Sequence, residues 1–485
     1  MTRQPYLRIN FNRHNPGRSL AVQQIVTAIK DQIVTDHVAP GCRLPPVRVL
    51  AHQLGISKTT VQTAYDELVA QGLAESKQRV GLFVASDAQT IQVAPAAKVP
   101  SPAFVPLPPR RAVARSAKTL APPIDLSSMF IDADLLPREK LAACFRAVVK
   151  QAKLHAAYHP QGLLPLRRVI AERLQQHGIE ASEDDIVTTA GSQQALDIVC
   201  RALTQKRIAT ENPTYEQGKR LFEMNSVEVL GLPLDPFRGI DVDTWERLLS
   251  ERRPALVYLT TNFHNPTGYS YSTSELYAIL EWSQRYGFGI LEDDWGSDML
   301  SFSEFCPSLR ARGGDGVLYI NSFTKKLLPA LRLGYLVGNP QTTPALVASK
   351  AVSCLGLSSI VEAALCEFLE RGYYDVHLKQ LQHELDQRYQ HCLQVLRQTM
   401  PEGVQWTTPG GGPSLWLEVP AGIDRDKIRT RLESKNVLVR FSDGAFFGTP
   451  HLHGFRIGYA QLTPHEMQRG LELLASELRR AISGR

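Results

Sequence analysis

Apolar side chains recur at helical spacing at the front of the chain. Leu20, Ile25, Ile29 and Ile33 would share one face of a helix, because each lies about one turn beyond the last. Polar residues fill most of the positions between them. The pattern predicts an amphipathic helix whose apolar face needs to be covered by other elements.

A second helix is predicted directly after this one. Pro45 and Pro46 mark its start, because proline is favoured in the first turn of a helix. Val49 and Leu50, together with Leu54 one turn later, are expected to pack inward. Gly55 is expected to end this helix, since glycine readily adopts the left-handed conformation common at helix C-termini.

A third helix follows after this tight turn. Ser57 is its expected N-cap and residues 58–71 its body, because a serine oxygen can accept a bond from the free N–H groups of the first turn. Residues 72–84 are predicted to form two short strands around a turn. The whole is a winged helix-turn-helix, an α+β DNA-binding arrangement whose third helix enters the major groove. The polar residues expected at the start of that helix are Lys58, Thr59, Thr60, Gln62 and Thr63.

Composition changes after the wing. Residues 86–123 hold eight prolines and few large apolar side chains, so we expect an extended, Pro-rich linker rather than a packed core. Residues 124–485 leave room for a large domain and a smaller one. In this part, β-like runs alternate with helical patterns, which predicts a mostly parallel α/β sheet covered on both faces. The β-like runs are residues 185–189, 255–260, 289–292 and 317–320.

Charge is distributed unevenly between these parts. Residues 1–123 contain 15 Lys and Arg but only 6 Asp and Glu, whereas the remainder contains 39 and 42, so the net charge of +6 conceals a basic front end. A basic domain is what binding to the phosphate backbone of DNA requires. A linker that is basic by chance is the alternative explanation.

The sequence shows no sign of a membrane or secretory protein. It has no run of 18 apolar residues, and its first residues lack the apolar segment of a signal peptide. The seven cysteines include no Cys-x-x-Cys pair, which argues against a disulfide framework or a zinc site. We therefore expect a cytoplasmic protein with buried free thiols, no metal and no membrane partner.

Residues 321–335 contain the most informative chemical signal. Hydroxyl groups at Ser322 and Thr324 flank Lys325, and Arg332 follows seven residues later. A lysine can form a Schiff base with an aldehyde cofactor while neighbouring hydroxyl and guanidinium groups hold a phosphate. A surface loop with two lysines is the alternative, and in both interpretations Lys326 is expected in solvent.

Polar segments follow other predicted strands in the same region. The turn at residues 189–195 opens a helix, and such a turn can bind phosphate through its backbone N–H groups. Asn-Pro turns occur within residues 211–215 and 262–268, and carboxylates end the strand at residues 290–295. Each segment alone is common in α/β proteins, so the meaning of the set depends on its order along the chain.

Residues 19–85 resemble the winged helix of GntR-family transcription regulators. The resemblance rests on Leu44-Pro45, Arg48, Leu54-Gly55, Ser57 and Gly72-Leu73, among others. It implies that Arg48, the start of the third helix and the wing contact DNA. The wing lacks most of the family's glycines, which favours a phosphate contact over base readout there, and a generic three-helix interaction module is the alternative. The implied DNA-binding residues are Arg48, Ser57, Lys58, Thr59, Thr60, Gln62, Arg79 and Gly81.

Residues 124–485 resemble fold-type I aminotransferases, because these segments occur in that family's order. The resemblance implies pyridoxal 5'-phosphate (PLP) as cofactor, with Lys325 forming the Schiff base. Asp293 would keep the pyridine nitrogen protonated, Asn265 would bond the phenolic oxygen, and Tyr215 would stack on the ring. The implied phosphate-binding residues are Gly191, Ser192, Gln193, Ser322, Thr324 and Arg332.

Three further positions follow from the same resemblance. Arg456 would bind a ligand carboxylate, which guanidinium geometry suits. Tyr158 would reach the cofactor phosphate of a partner subunit, which implies a homodimer with shared PLP sites. Trp295 is expected at a cofactor-binding position where the family usually has a tyrosine. It departs from the family because an indole N–H donates one bond but neither accepts one nor ionises.

The complete arrangement resembles the MocR/GabR subfamily of bacterial regulators. This implies a PLP-dependent transcription regulator of operator DNA, in which a small amine or amino-acid effector displaces Lys325 from the cofactor. Two alternatives stay open: a catalytically active aminotransferase that carries a DNA-binding domain, and a regulator for which PLP itself is the signal. Trp295 favours slow half-transamination at most over efficient turnover. The predicted domains are a winged helix at 1–85, a linker at 86–123 and an aminotransferase-like domain at 124–485, with a smaller C-terminal α+β subdomain from about residue 370.

Overall fold

The structure is a computed structural model of the chain. It describes residue 9 and residues 18–34, 38–77, 80–86, 122–151, 158–297 and 308–484. The chain divides into two compact units between residues 106 and 107, a point inside the predicted linker. Most of that linker, residues 87–121, lies outside the described residues.

The first unit contains three helices followed by a two-stranded wing. The elements are α1 (Arg18–Val34), α2 (Val47–Leu54), α3 (Lys58–Ala70), β1 (Ala74–Lys77) and β2 (Gly81–Val84). The two strands pair antiparallel, with Ala74 opposite Val84 and Lys77 opposite Gly81. The winged helix-turn-helix predicted from the hydrophobic pattern is therefore confirmed.

Local chemistry sets the boundaries of these helices. The Ser57 Oγ accepts a hydrogen bond from the Thr60 backbone N–H at 3.1 Å, as an N-cap does. Gly55 ends α2 in the left-handed conformation, with φ of 69°. The prediction that Val49 packs inward is wrong, because this side chain is 43% exposed. Adjacent helical residues point about 100° apart, so the buried Leu50 leaves Val49 facing outward.

The second unit is larger. Its strands are β3 (Ile124–Asp125), β4 (Ile186–Thr189), β5 (Arg207–Asn212), β6 (Glu228–Asp235), β7 (Gly239–Ile240), β8 (Leu256–Leu259), β9 (Gly289–Asp293), β10 (Val317–Ser322), β11 (Gly334–Val337), β12 (Gln405–Trp406), β13 (Ser414–Glu418), β14 (Val437–Leu438) and β15 (Phe455–Gly458). Its helices are α4 (Arg138–Val148), α5 (Leu164–Gln176), α6 (Ser192–Ala202), α7 (Glu216–Met224), α8 (Val242–Arg252), α9 (Thr273–Tyr286), α10 (Leu309–Gly313), α11 (Thr343–Cys354), α12 (Ser359–Glu370), α13 (Tyr373–Thr399), α14 (Arg425–Ser434) and α15 (Pro464–Ser483).

An eight-stranded sheet, in the order β4-β11-β10-β9-β8-β5-β6-β7, forms the centre of this unit. The pairs from β10 to β6 are parallel, whereas β11 runs antiparallel to both of its neighbours. Successive side chains of a strand point to opposite faces, so Val257 and Tyr258 belong to separate apolar cores. The predicted mostly parallel sheet, covered on both faces, is confirmed.

A smaller α+β subdomain packs around a second, three-stranded sheet. Strands β12, β13 and β15 pair antiparallel, and their apolar side chains share a core with α13, α14 and α15. Strand β3 pairs in parallel with β14, so the first residues of the unit join its last part. The prediction of a subdomain from about residue 370 did not include β3, because pairing between distant segments leaves no local signal.

Three features of the described residues bear on predictions from the sequence: the state of the cysteines, the grouping of metal-ligating side chains, and the length and apolarity of the helices. Six free cysteines lie among them, and four of these thiols are buried; Cys306 lies outside the described residues. Within the same ranges, no group of three or more His, Cys, Asp or Glu side chains is arranged to hold a metal ion. None of the helices in these ranges is long and apolar enough to cross a bilayer.

Candidate functional site

A pocket of roughly 590 Å³, partly open to solvent, lies at the carboxyl ends of β8, β9 and β10. Ligands of open α/β sheets bind at this edge, because the loops that follow parallel strands converge there. Eleven of its thirteen lining residues were predicted as cofactor-binding, and Tyr258 and Thr260 were not. The lining residues are Gly191, Ser192, Gln193, Tyr215, Tyr258, Thr260, Asn265, Asp293, Trp295, Ser322, Thr324, Lys325 and Arg332.

One end of the pocket has the shape and chemistry of an anion site. Gly191 precedes α6 with φ of 91°, and a Cβ built on it would lie 3.2 Å from Thr324 Oγ1, 3.4 Å from Ser322 Oγ and 3.7 Å from Arg332 Nη2. The space in front of Gly191 is therefore ringed by hydroxyl and guanidinium groups. The free N–H groups of a helix start face the same space and favour a negative charge. Gly191, Ser322, Thr324, Arg332 and the start of α6 together fit a phosphate group, and we call them the anion cradle.

The Arg332 guanidinium is anchored within this cradle. Its Nη2 donates a hydrogen bond to the Ala190 carbonyl oxygen at 2.7 Å. Gln193, on the first turn of α6, donates to the Gln217 carbonyl oxygen at 3.1 Å. The first bond holds the Arg332 side chain against the backbone of the turn, and the second joins the first turn of α6 to the backbone of α7.

Lys325 also lines the pocket. Its Nζ is 4.0 Å from the centroid of the Trp295 ring. Burial, and to a smaller extent the positive charge of Arg456, lower the pKa of Lys325 to about 8, while Asp293 opposes the shift. An amine with this pKa is partly neutral at physiological pH, and the neutral amine is the form that attacks an aldehyde.

Asp293 ends β9 and is buried next to the lysine. Its Oδ2 accepts a hydrogen bond from the Tyr258 hydroxyl at 2.9 Å, and its Oδ1 accepts one from Ser192 Oγ at 3.3 Å. Burial raises the pKa of Asp293 to about 6, while the Tyr258 bond and the charge of Lys325 hold it down. The carboxylate is therefore ionised at neutral pH and suits a protonated ring nitrogen.

Arg456 is connected to the pocket through Asn265. Its Nη1 donates to Asn265 Oδ1 at 2.6 Å, and its Nε and Nη2 donate to the Ser127 carbonyl oxygen at 3.3 and 2.8 Å. Burial lowers the pKa of Arg456 to about 10, so the guanidinium keeps its charge. Among the described residues, three of its five N–H donors have a hydrogen-bond acceptor.

Two tyrosines predicted for the site occupy different surroundings. Tyr215 lines the pocket, and a Cβ on Gly218 would come 3.2 Å from its ring, so Gly218 leaves the ring its space. Tyr158 is 80% exposed and is not among the residues that line this pocket. That exposure agrees with the prediction that Tyr158 reaches the cofactor phosphate of a partner subunit and not the pocket of its own subunit.

The charged neighbours of the two central residues point away from the pocket. Asp294 Oδ2 accepts a hydrogen bond from the Tyr319 hydroxyl at 2.9 Å, on the far side of Asp293 as strand alternation requires. The prediction that Lys326 is a solvated neighbour is wrong: the residue is fully buried, and its Nζ donates to Asn321 Oδ1 at 2.6 Å. The turn after β10 directs the two successive lysines to opposite sides, a reversal that local composition does not reveal.

The first unit presents a polar surface at the start of α3. Ser57, Lys58, Thr59 and Gln62 are exposed there, and Arg48 is exposed on the first turn of α2, as expected for DNA contacts. Thr60 is different: it is 6% exposed, and its hydroxyl lies 2.7 Å from Ser57 Oγ, so it completes the helix cap instead of facing outward.

The wing adds a contact that the sequence analysis missed. A Cβ on Gly81 would come 2.8 Å from Arg43 Nε, so the absence of a side chain lets the Arg43 guanidinium lie against the wing. The basic residue two positions before Pro45 was the available signal. Arg79, predicted to reach a phosphate, lies outside the described residues.

Tyr258 is the main pocket residue that the sequence analysis missed. It lies on β8, where it pairs with Leu291 of β9, two residues before Asp293. An aromatic hydroxyl near the carboxyl end of a strand adjacent to β9 was the available signal. Strand order, which brings β8 beside β9, was needed to interpret it.

Both units match models of known protein families. Residues 124–474 match the family described as aminotransferase class I and II, and residues 21–84 match bacterial regulatory proteins of the gntR family. The chain is 28% identical over 491 residues to the HTH-type transcriptional regulator TauR of Rhodobacter capsulatus, covering 94% of this chain and 96% of that protein. It is 26% identical over 486 residues to the probable rhizopine catabolism regulatory protein MocR of Rhizobium meliloti, covering 94% and 93%.

Solved structures similar to this chain are aminotransferases. A multiple substrate aminotransferase from Thermococcus profundus has a TM-score of 0.71 and 27% identity, over 75% of this chain and 93% of that one. The α-aminoadipate aminotransferase LysN of Thermus thermophilus, complexed with N-(5'-phosphopyridoxyl)-L-leucine, has a TM-score of 0.70 and 27% identity, over 75% and 94%. Each similarity covers 75% of this chain, and the aminotransferase family model spans residues 124–474.

Proposed function

Because the chain belongs to the aminotransferase class I and II family and has a gntR-family domain in front, we propose that it is a transcription regulator that binds PLP and senses a small amine or amino acid. One observation supports this most strongly. Lys325, a buried carboxylate and an anion cradle line one pocket, on a chain whose first unit is a winged helix-turn-helix.

The anion cradle would hold the cofactor phosphate. Ser322, Thr324 and Arg332 supply donors around the space in front of Gly191, and α6 supplies backbone N–H groups. When bound, PLP supplies an aldehyde that a primary amine can capture and a ring that withdraws electrons. Lys325 is the primary amine that this chain offers to that aldehyde.

Other pocket residues would hold the ring. Asp293 would accept a hydrogen bond from the protonated ring nitrogen, while Tyr258 and Ser192 fix its two carboxylate oxygens. Asn265 would donate to the phenolic oxygen while its own Oδ1 stays bonded to Arg456. Tyr215 would pack on the face of the ring.

Effector recognition would use the same amine chemistry. An effector amine would take the place of Lys325 at the cofactor aldehyde. An effector carboxylate would accept hydrogen bonds from Arg456, whose other N–H groups bind Asn265 and Ser127. A homodimer would share its sites through the exposed Tyr158 of each subunit. The effector controls DNA binding only if it binds two arrangements of that dimer differently.

The winged helices would bind two half-sites of an operator. Lys58 is an exposed cation at the start of α3, where base edges and phosphates would be reached, and Arg48 is an exposed cation on α2. The excess of basic residues in the first 123 positions supports binding to a polyanion.

A working aminotransferase is the second candidate. The observation that favours it is the pKa of Lys325, lowered to about 8 by burial, which leaves part of the amine neutral and able to take a proton from a substrate carbon. Under this alternative the purified protein would turn over many equivalents of amino acid and keto acid.

A gel-shift titration with DNA from upstream of the chain's own gene separates the candidates. Affinity is measured without PLP, with PLP, and with PLP plus a panel of amino acids, ω-amino acids and taurine. The proposal expects a further change when one amine is added, without sustained keto-acid production in a parallel assay. A response to PLP alone identifies a cofactor sensor, and DNA binding that ignores every addition contradicts the proposal.

A further inference from the structure

The Trp295 indole and the Lys325 amine face each other inside the pocket. The Lys325 Nζ lies 4.0 Å from the ring centroid, well within the distance at which an ammonium is attracted to an aromatic face. Trp295 is only 7% exposed, so water competes little for this contact. Tryptophan provides the most attractive face among the aromatic side chains. The geometry therefore favours the charged form of Lys325.

Burial and two charged groups also change the pKa of Lys325. Burial and the Arg456 guanidinium lower the pKa of Lys325 to about 8, and the Asp293 carboxylate raises it. An indole face acts in the same direction as Asp293, because it attracts the ammonium and is indifferent to the neutral amine. Weakening the ring face should therefore lower the pKa of Lys325.

The protonation state of Lys325 decides what it can do. A lysine ammonium has three donors and no acceptor. It neither attacks an aldehyde nor takes a proton from a substrate carbon. An enzyme needs this amine to be neutral in every cycle, whereas a sensor that stops at effector binding does not.

We propose that Trp295 holds the displaced Lys325 as an ammonium after an effector amine has replaced it on the cofactor aldehyde, so that the lysine does not act as a base. This inference rests on the proposed function. In the exchange, the carbon–nitrogen double bond to Lys325 Nζ is replaced by one to the effector nitrogen. The effector enters as an ammonium and Lys325 leaves as one, so the step consumes no oxidant, reductant or net proton. Trp295 is thus a positioning residue that acts through Lys325.

The test measures the pKa of free Lys325 in the full-length protein after PLP is removed. Lys325 is modified with trinitrobenzenesulfonate over a range of pH, and peptide mass spectrometry gives the midpoint of its reactivity. The five tryptophans of the chain are replaced biosynthetically by mono-, di- and trifluorinated analogues. Fluorine withdraws electrons from the ring face but changes the ring's size little, so the burial of Lys325 is preserved.

Two controls isolate the contact. The Trp295→Phe protein receives the same analogues at its other tryptophans, and its Lys325 midpoint should not depend on the analogue. Lys140 is an internal reference, since its Nζ lies 5.2 Å from the ring centroid of Tyr373, which carries no fluorine.

In the wild-type protein the Lys325 midpoint should fall stepwise with each added fluorine, towards a total of about 0.4 to 1.5 pH units, the range that a cation–π contact supplies. A midpoint that is the same with every analogue would overturn the role of Trp295. That result would leave the proposed function standing, because the assay contains neither PLP nor DNA. Failure of PLP or DNA binding would instead count against the proposed function without affecting this midpoint.

Discussion

Removing the Tyr258 hydroxyl should change the pH at which the chain loses PLP. Tyr258→Phe keeps the aromatic ring, which packs edge-to-face against Phe222 with centroids 5.9 Å apart. It removes the donor that lies 2.9 Å from Asp293 Oδ2. The substitution therefore tests one hydrogen bond while leaving the surrounding core in place.

The structure gives both the direction and the size of the effect. A hydrogen bond to an ionised carboxylate contributes about 1.5 to 3 kcal/mol, and one pKa unit corresponds to about 1.4 kcal/mol. Burial already raises the pKa of Asp293 to about 6 while the Tyr258 bond holds it down. Losing that bond should raise the pKa by a further 1 to 2 units, approximately.

The assay is a PLP titration at several pH values, followed by quenching of tryptophan fluorescence. A protonated Asp293 no longer attracts a protonated ring nitrogen, so affinity should fall as pH drops through the pKa of Asp293. That fall is expected near pH 6 in the wild type and about 1 to 2 units higher in Tyr258→Phe. The PLP phosphate also ionises near pH 6, at about the same pH for both proteins, so the difference between the curves reports Asp293.

Tyr271→Phe is the matched control. It also removes a buried tyrosine hydroxyl from a buried carboxylate, at 3.3 Å from Glu211 Oε1, but Tyr271 does not line the pocket. Its PLP curve should follow the wild type. If the Tyr258→Phe curve also superimposes on the wild type, the Tyr258 bond does not tune Asp293 and the reasoning is refuted.

Three further substitutions test other parts of the account. Gly191→Ala places a methyl carbon 3.2 Å from Thr324 Oγ1, at a backbone φ of 91°. The affinity for PLP should therefore drop about tenfold, equivalent to 1.4 kcal/mol. Equal affinity of variant and wild type in the PLP titration would mean that the phosphate binds elsewhere. Arg48→Ala should weaken the salt dependence of DNA binding. The slope of log affinity against log salt concentration should become about one unit less steep, as expected when one phosphate contact is lost. An unchanged slope would mean that Arg48 does not contact a DNA phosphate. Ser57→Ala should destabilise the first unit by about 0.5 to 2 kcal/mol through the lost cap, as measured by chemical denaturation; unchanged stability would contradict the role assigned to the 3.1 Å bond to Thr60.

Much of the pocket could be predicted from the sequence because its residues lie in short segments at the ends of strands. Gly191, Asp293 and Lys325 each follow or end a β-like run. Parallel strands bring their carboxyl ends to one edge of a sheet, so these distant segments meet there. Short apolar runs predicted the strands, and the resemblance to fold-type I aminotransferases identified the polar residues at their ends as a site.

The residues that were missed or misplaced depend on contacts between distant parts of the chain. Tyr258 became a pocket residue only because β8 lies beside β9. Lys326 is buried because a turn directs its side chain towards Asn321. The charge of a lysine side chain alone had suggested that this residue is exposed to solvent. Thr60 is drawn into a helix cap by Ser57. Strand order, turn direction and cap geometry are properties of the folded chain that local patterns do not encode.

The central claim is that amine exchange at Lys325 controls DNA binding. The most direct measurement compares the DNA affinity of wild-type and Lys325→Ala protein, each with PLP and then with the panel of amines. The substitution leaves the anion cradle and Asp293 in place, so PLP can still occupy the pocket. Lys140→Ala, a change at an exposed lysine of α4, is the control. In Lys325→Ala an amine can still condense with the bound aldehyde, but it displaces no lysine. We predict that amines change the DNA affinity of the wild type and of Lys140→Ala, and that Lys325→Ala has the same affinity with PLP alone and with PLP plus amines. An equal change in Lys325→Ala would contradict the account.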